Sequence, residues 1–492
     1  MKIERLPPLA TTLKPSNHPY LTGAWTPLTE EVDAFDLEVL EGAIPAELDG
    51  VYIRNTENQI HQPLGRFHPF DGDGMLHQID FHGGRANYRN RFVRTRGLVA
   101  EQEAGGSLWG GLMDPPGTSL RPGFGAHGGL KDTASTDVVV HAGKAVATFY
   151  QCGEAYALDP ETLEPLGVSP WAPLDGVSAH TKVDETTGEL MFFNYSKSAP
   201  HMHYGVVDRH GKTVTYIPVP VPGPRLPHDM AFSARYSILN DLPLFWDQAL
   251  LERGIHAARL HEGIPSRFAV IPRHGTTADI RWFEAAPCYV LHWLNAYEDG
   301  DELILDGYFQ DEPMPAPLAD APKGYSHMMA YLDEHSFKSK LHRWRFNLAD
   351  GTTREERLDD RILEFGTFNP RYAGKPYRYV YSTTTRPGWF LFNGFVKHDL
   401  VDGGSQELRL PEGCYASEAP FCPRPGAIEE DDGWLVTFTT DETTGRSQCL
   451  LIDARRLEVV CRIALPHKLC SGTHAVWADR RFIRDGVLGQ NA

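Results

Sequence analysis

Four histidines stand in settings that suit metal ligands, although the chain has 22 histidines among its 492 residues. They are His180 in VSAHTK, His228 in LPHDMAF, His292 in CYVLHWLN and His474 in SGTHAVW. They lie too far apart for a local metal finger, so they share a metal only if a closed fold brings distant strands together. Four neutral imidazoles without an obvious carboxylate ligand suit a redox-active iron that keeps open coordination positions. The pattern predicts an oxygen-using enzyme, with a plain buried hydrogen bond as the alternative role of His292.

Short strands separated by turn residues predict an all-β fold. The candidate strands mix β-branched and aromatic residues and are bounded by Gly, Asp, Asn or Pro. Hairpin turns are expected at 142–144 and 208–212. Helical signals are few, and the best covers 246–260. The clearest strand regions are 137–149, 189–195, 302–309, 377–382 and 433–439.

Two internal echoes favour a repeated architecture. The sequence DETTG occurs at 184–188 and again at 441–445, and LDPETLE at 158–164 is echoed by IDARRLE at 452–458. Repeated strand–turn–strand units over this length indicate a β-propeller, although DETTG is good turn chemistry in any fold. A propeller brings the inner strands of its blades to one axis, which explains the dispersed histidines. No linker rich in Gly, Ser or Pro divides the chain, so residues 1–492 are expected to form one domain.

Composition excludes some functions. The chain has 47 basic and 65 acidic residues, a net charge of -18, and no basic blocks. Nucleic-acid binding needs positive charge to neutralise phosphates, so no nucleic-acid partner is expected.

The cysteines and the apolar segments bear on location. Seven cysteines without a CxxC pair suggest free thiols in a reducing cytoplasm. The N-terminus lacks the apolar region of a signal peptide, and no run of about 18 apolar residues predicts a membrane span. The apolar segment 237–251 could touch a bilayer weakly, but a buried insertion is the favoured interpretation.

The chain resembles the carotenoid cleavage oxygenase family from about Phe35 to its C-terminus. The resemblance rests on several motifs that follow one another in the family's order. They are VYIRN at 51–55, FDGDGMLH at 70–77, YRNRFVRT at 88–95, PHDMAF at 227–232, LHWLNAYE at 291–298, EF at 364–365 and SEAPFCPRP at 417–425.

This resemblance implies a seven-bladed β-propeller with the active site on its axis, capped by loops and a few short helices. It implies Fe(II) as cofactor, held by His180, His228, His292 and His474. The last motif departs from the family, which has an aromatic residue before the histidine and a glycine after it. Trp477 lies at the expected distance from His474, which is why His474 is preferred over His467.

The resemblance also implies three glutamates that orient the histidines. Glu364 and Glu418 match two of them, and the third position falls on Gln151, with Glu154 as an alternative through a local shift. A glutamine accepts a hydrogen bond from an imidazole N–H but brings no negative charge. Thr136 matches a small residue beside an open iron position, and ordinary strand packing is its alternative role.

The implied reaction is oxidative cleavage of a C=C double bond by O2 into two carbonyl products. The implied partner is a small hydrophobic alkene. The sequence RNT at 54–56 looks like the phenylpropene-cleaving branch, and Lys131 matches a lysine that meets a phenolic oxygen in stilbene-cleaving members. Such a lysine could favour a phenolate, although an exposed loop lysine is the alternative. Leu98 falls near a position where a second phenol-binding tyrosine is expected, which counts against a stilbene substrate.

Three functional alternatives stay open at this stage. The chain could cleave apocarotenoids instead of phenolic alkenes such as isoeugenol or 4-vinylguaiacol. It could be an iron-dependent isomerase or hydrolase of the same family that consumes no O2. It could also be a silent binding propeller, although such a scaffold has no reason to keep four axial histidines. The residues leave both monomer and dimer open.

Overall fold

Seven antiparallel units form the blades of a β-propeller. Four of them are separate four-stranded sheets, one lies in a six-stranded sheet and two share a ten-stranded sheet. The computed structural model describes residues 1–112, 114, 116–122, 130–246, 249, 258–310, 338–386 and 390–488. The predicted all-β propeller is therefore confirmed. Innermost strands of adjacent blades lie against one another, so their first residues face a common axis.

Blades 2 to 6 each use four strands in chain order, from the axis outward. The strands of blades 2, 3 and 4 are Asp137–His141, Lys144–Thr148, Tyr156–Leu158 and Pro165–Val168; Lys182–Asp184, Glu189–Tyr195, Met202–Val207 and Thr213–Pro218; and Ala231–Phe232, Tyr236–Asp241, Ser266–Pro272 and Arg281–Ala285. Those of blades 5 and 6 are Trp293–Asp299, Glu302–Phe309, Lys340–Asn347 and Thr353–Arg357; and Leu363–Thr367, Tyr379–Thr385, Phe392–Asp399 and Ser405–Arg409.

Blades 1 and 7 combine the two ends of the chain and so close the ring. The strands of blade 1 are Gly472–Asp479, Gly50–Asn58, Asp73–His82 and Arg85–Phe92, extended by Val32–Phe35 and Lys2–Arg5. Those of blade 7 are Phe421–Pro423, Gly433–Asp441, Arg446–Asp453 and Glu458–Ala464, extended by Val39–Gly42. The C-terminal strand completes an N-terminal sheet, and an N-terminal strand completes the last blade. Cys414–Ala416 pairs with strands of blades 6 and 7 and joins them.

The remaining elements lie outside the blades. Two α-helices are described, Arg96–Ala104 and Arg480–Asp485. A small strand pair, Leu244–Trp246 with Ala258–Leu260, extends from blade 4. A helix was predicted over 246–260, but both ends of this segment are strands. Between the two strands, residue 249 is the one that the structure describes. Single-turn 3-10 helices are Pro19–Leu21, Gly23–Trp25, Pro69–Asp71, Pro116–Thr118, Thr277–Asp279 and Pro370–Tyr372.

The strand and turn predictions agree with the blades. Glu189–Tyr195 and Glu302–Phe309 have the predicted bounds, and both predicted hairpin turns join neighbouring strands. LDPETLE and IDARRLE both link the third and fourth strands of their blades, as a true repeat would. DETTG links different strand pairs in blades 3 and 7, so that echo reflects turn chemistry alone.

Aromatic packing between blades builds the core next to the axis. Trp293 lies between blades 4 and 5, with ring centroids 5.7 Å from Phe268 and 5.2 Å from Trp344. Because Trp293 directly follows His292, this packing fixes the backbone that carries a predicted ligand. In the segment 237–251, Ile238, Leu239 and Leu242 are buried, so the buried interpretation is confirmed for the part described.

The cysteines and helices agree with the sequence reading. All seven cysteines are described and none forms a disulfide, as predicted. Within the described ranges, the helices are too short or too polar to cross a membrane.

A partly exposed ion-pair cluster links the C-terminal helix to the strands that close the ring. Arg480 donates to Asp49 over 2.7 Å and also pairs with Asp80 and Glu161. Hydrogen bonds to charged groups contribute more than neutral ones, so Arg480→Met should destabilise the protein by about 1–3 kcal/mol and leave three carboxylates facing one another. Urea unfolding measures this. Arg484→Met is the matched control, since Arg484 is exposed and pairs only with Asp485. An equal loss in both variants would contradict a role for Arg480 in closure.

Candidate metal centre

Each of the seven blades places one polar residue at or beside the start of its innermost strand. Each blade therefore contributes one residue to the propeller axis. Four of these residues are histidines and three are carboxylates. In order from blade 1 to blade 7 they are His474, Asp137, His180, His228, His292, Glu364 and Glu418.

The four histidines converge. His180 Nε2 lies 3.1 Å from His228 Nε2. The ring centroid of His180 is 4.4 Å from that of His474 and 5.1 Å from that of His292. His228 and His292 are separated by 5.2 Å, and His292 and His474 by 4.8 Å. Residues from four blades thus form one cluster, as the sequence pattern requires.

Burial keeps three of these imidazoles neutral. It holds the pKa of His180, His228 and His292 well below the usual value, because the charged form loses its hydration. Burial would also lower the pKa of His474, but the hydrogen bond and charge of Glu418 raise it. A neutral imidazole offers a lone pair to a metal, so the cluster is prepared to bind a cation rather than to carry four charges.

Two carboxylates contact the outer nitrogens of the histidines. Glu364 Oε2 accepts a hydrogen bond of 2.6 Å from His292 Nδ1, and burial raises the pKa of Glu364 to about 8. Glu418 Oε2 lies 3.4 Å from His474 Nδ1 and accepts a hydrogen bond of 2.8 Å from the Ala475 N–H. A carboxylate on Nδ1 fixes the tautomer and leaves Nε2 free for a metal.

The third orienting position was expected at Gln151. Gln151 lies in the turn after Lys144–Thr148, and within the described residues it has no hydrogen bond to any of the four histidines. Glu154 is occupied elsewhere, since it accepts from Tyr156 and pairs with Arg96. Asp137 Oδ2 instead lies 3.2 Å from His180 Nδ1.

Two residues of the centre have left-handed backbone conformations. His180 has φ 61° and Phe365 has φ 48°, values that non-glycine residues adopt at a cost of about 1–3 kcal/mol. Phe365 follows Glu364, and its ring centroid lies 4.7 Å from that of His292 and 4.9 Å from that of His474. The sheets of the surrounding blades maintain these two strained backbone conformations. As a result, the apolar ring of Phe365 covers the rings of His292 and His474.

Further polar contacts anchor the ligand segments. Asp229 follows His228 and accepts a hydrogen bond of 2.8 Å from the Trp293 N–H, which ties the His228 and His292 segments together. Lys182 balances its charge over 2.8 Å. The buried Arg54 donates to Ser417 Oγ and to the Cys470 carbonyl. It therefore stabilises the chain segments that precede Glu418 and His474.

Thr136 lies next to the cluster. Its Oγ1 accepts from the Tyr150 N–H over 3.2 Å, and its carbonyl accepts from Thr473 Oγ1 over 3.3 Å. Thr136 therefore connects blade 2 to the residue that precedes His474. These contacts are compatible with both roles considered for it, beside an open position and in strand packing.

The residues present fit a metal ion. Among the described residues, no group forms a hydrogen bond with the buried His292 Nε2. A buried polar atom without a partner destabilises the folded state unless another group, such as a metal ion, binds its lone pair. The ligand atoms of His180, His228 and His292 lie within 4.8 Å of one another, as do those of His180, His474 and Asp137. Imidazole nitrogens with open positions suit iron, whereas carboxylate-rich sites suit magnesium or calcium.

The structure contains a cleft whose lining includes Phe67, Phe70, Trp109 and Phe149, together with polar residues such as Glu101 and Lys131. A line of aromatic rings leads from it to the histidines. Phe70 lies 5.7 Å from Phe390, Phe390 lies 6.0 Å from Phe365, and Phe365 contacts His292. Concave sites with aromatic walls and a few polar groups are typical of small-molecule binding.

Polar groups at one end of the cleft form a small ionic cluster. Lys131 is buried and lies 2.7 Å from Glu101 and 2.8 Å from Asp73. Although burial opposes the charged form, the two carboxylates raise the pKa of Lys131, so it stays protonated. Lys131 is therefore not an exposed loop lysine, and its charge is already offset. A phenolate there would meet a net negative cluster.

The structure places Leu98 away from the cleft. Leu98 is buried on Arg96–Ala104, where it packs with Ile60 and Phe92. One turn later on this helix, Glu101 lines the cleft instead. The sequence analysis did not predict this helix. Thr95 as its N-cap and Gly105, with φ 69°, at its end are the signals that would have fixed its ends and so shown which side chains share a face.

Comparison with known proteins agrees with this geometry. A family profile described as retinal pigment epithelial membrane protein matches residues 25–479. A carotenoid cleavage oxygenase from Mycobacterium tuberculosis is 30% identical, with 94% of this chain and 98% of the relative covered. The chain belongs to the carotenoid cleavage oxygenase family. Another relative of this family, an isoeugenol monooxygenase from Pseudomonas nitroreducens, is 30% identical, with 94% and 98% covered.

Solved structures of the family share the fold. The lignostilbene dioxygenase of Pseudomonas brassicacearum superposes with a TM-score of 0.82 at 26% identity, covering 95% of this chain and 100% of that one. The cobalt-substituted apocarotenoid oxygenase of Synechocystis superposes with a TM-score of 0.79 at 25% identity, covering 93% and 98%.

Removing one histidine tests whether the cluster is a metal centre. His292→Ala should lose metal binding, because three remaining imidazoles and a cavity cannot complete the site. Metal analysis after anaerobic loading measures the metal bound per chain. His342→Ala is the matched control: it is a buried histidine in the same blade that bonds Glu355 over 3.2 Å, away from the axis. Full metal content in the His292 variant would disprove the assignment.

Proposed function

We propose that this chain is a non-haem Fe(II) dioxygenase that cleaves the C=C bond of a phenolic aromatic alkene with O2. The observation that carries the proposal is the convergence of four buried histidines, with His292 Nε2 left without a partner. His180, His228, His292 and His474 would hold the iron. The membership of the family and the cleft support the same activity.

The residues of the chain bind, orient and exclude water. Ferrous iron, when bound, would supply the activation of O2, which the protein side chains cannot provide. Iron held by the four histidines would keep positions open for other molecules. The rings of Phe365 and Phe390 would keep the approach to His292 apolar, so that an alkene could lie beside the histidine cluster without competing water. No nucleophile or acid–base pair is required of the protein.

The charged end of the cleft favours a phenolic substrate. Relatives named for isoeugenol and lignostilbene support an aromatic alkene, and both names describe phenols. A phenol O–H can donate to Glu101 while Lys131 donates to the phenol oxygen. Because Asp73 and Glu101 already offset Lys131, the phenol would bind neutral rather than as phenolate. A hydrocarbon chain could form no hydrogen bond with these charged groups.

The proposal includes a location in the cytoplasm. The seven cysteines form no disulfide, which supports a reducing compartment for this enzyme.

A product assay tests the function. The purified protein, loaded with Fe(II) under O2, is offered isoeugenol, 4-vinylguaiacol, a hydroxystilbene and an apocarotenal in parallel. Isoeugenol plus O2 should give vanillin plus acetaldehyde, one O2 consumed for each bond cleaved. Mass spectrometry and an oxygen electrode measure this. Cleavage of the apocarotenal alone would move the substrate to apocarotenoids, and turnover without O2 uptake would indicate an isomerase or hydrolase.

The ionic cluster at Lys131 tests the substrate class separately. Lys131→Met and Glu101→Gln should each raise KM for isoeugenol about 10-fold or more, since a hydrogen bond to a charged group contributes roughly 1.5–3 kcal/mol. The methyl ether of isoeugenol cannot donate this bond, so its KM should change little.

Lys397→Met is the matched control for the loss of a buried lysine. Lys397 pairs with Asp431 over 2.7 Å in blades 6 and 7, outside the cleft. Equal effects of Lys131→Met on isoeugenol and its methyl ether would contradict a phenol-binding role.

A further inference from the structure

Asp137 occupies the blade 2 position in the ring of seven polar residues. It is the first residue of Asp137–His141, and blade 2 contributes no histidine to the cluster. The corresponding residues of blades 6 and 7 are Glu364 and Glu418, which contact His292 and His474. Asp137 thus lies where a third carboxylate completes the ring.

The contacts of Asp137 match those of Glu364. Asp137 Oδ2 lies 3.2 Å from His180 Nδ1, and Asp137 Oδ1 accepts from the Val138 N–H over 2.7 Å. Glu364 likewise meets His292 Nδ1 and accepts from the N–H of the next residue, Phe365. In both, one carboxylate holds an imidazole and the adjacent backbone holds the carboxylate.

The other nitrogen of His180 points toward the cluster. His180 Nε2 lies 3.1 Å from His228 Nε2, whereas Nδ1 faces Asp137. An acceptor on Nδ1 keeps the proton there and directs the Nε2 lone pair to the metal position. His180 also has a left-handed backbone, so its ring orientation needs a specific restraint.

The charge of Asp137 is only partly compensated within the described residues. Asp137 is 9% exposed, no lysine or arginine of these residues lies within ion-pair distance of it, and Lys182 and His474 act on its charge without a direct ion pair to it. A buried carboxylate without a compensating charge is unfavourable. A divalent cation one imidazole away supplies that compensation.

We propose that Asp137 is the positioning carboxylate of His180 and takes the role of the third glutamate, a position that the resemblance had placed at Gln151. This inference rests on the proposed metal centre. It assigns each of three histidines an acidic partner on a different blade, namely Asp137, Glu364 and Glu418. His228 is held differently, through Asp229 and its bond to the Trp293 N–H.

Cobalt(II) titration of the full chain tests the proposal without turnover. Asp137→Asn keeps the size of the side chain and removes the charge, whereas Asp137→Ala removes the contact as well. Loss of such a partner typically weakens metal binding 10- to 100-fold. We expect Asp137→Asn to bind Co(II) about 10-fold more weakly and Asp137→Ala up to about 100-fold more weakly. Calorimetry gives the affinity, and the visible absorption of Co(II) reports the ligand field.

Two variants serve as controls. Asp431→Asn removes an equally buried aspartate that pairs with Lys397 far along the chain, and it should leave Co(II) affinity and spectrum unchanged. Gln151→Ala should also leave both unchanged. A merely structural role of Asp137 would lower the thermal midpoint of the metal-free protein without altering the Co(II) spectrum.

The outcomes separate this inference from the function on which it rests. Weaker Co(II) binding with an altered spectrum in the Asp137 variants, and in neither control, supports it. Unchanged binding by Asp137→Asn and Asp137→Ala, while the parent binds one Co(II) and His292→Ala binds none, overturns the role of Asp137 and keeps the metal centre. A loss in Gln151→Ala instead returns the role to Gln151. No Co(II) bound by the parent overturns both.

Discussion

Four histidines buried together, three of them held neutral by burial, are the constraint on which the rest of this structure depends. Such a cluster is unfavourable without a cation, and it cannot be built from adjacent residues. The propeller solves the geometric problem, because it delivers one residue from each inner strand to a common axis. The double closure at blades 1 and 7 then fixes the ring, including His474 on the last strand.

Carboxylates surround the four histidines and contact the outer nitrogens of three of them. Glu364 and Glu418 hold the outer nitrogens of His292 and His474, and Asp137 faces that of His180. Backbone strain at His180 and Phe365 is sustained by rigid sheets on either side. Aromatic rings lead from the histidines toward the cleft that contains the charged cluster at Lys131.

Much of this could be predicted from the sequence because local patterns and global fold agree. Strands such as Glu302–Phe309 alternate and are bounded by turns, and the histidine motifs occur in family order. The positioning of Asp137 could not be predicted, since its partner is 43 residues away in the sequence and belongs to another blade. That partnership depends on how adjacent blades are rotated about the axis. The sequence motif suggested Gln151, but among the described residues Gln151 has no hydrogen bond to any of the four histidines.

Helix phase explains the other difference at the site. Leu98 and Glu101 lie on the same short helix, and only a correct assignment of that helix shows which of them faces the cleft. The partners of Lys131 come from Asp73 in blade 1 and from this helix, so its charge state depends on tertiary contacts that the sequence does not order.

The central claim is that one metal ion sits on the propeller axis among the four histidines. A crystal structure of the Co(II)-loaded protein, with anomalous scattering recorded at the cobalt edge, tests it most directly. The account predicts one anomalous peak about 2.1 Å from the Nε2 atoms of His180, His228, His292 and His474, a distance typical of metal–imidazole bonds. A peak elsewhere, or none at this position in crystals that hold cobalt, would contradict it.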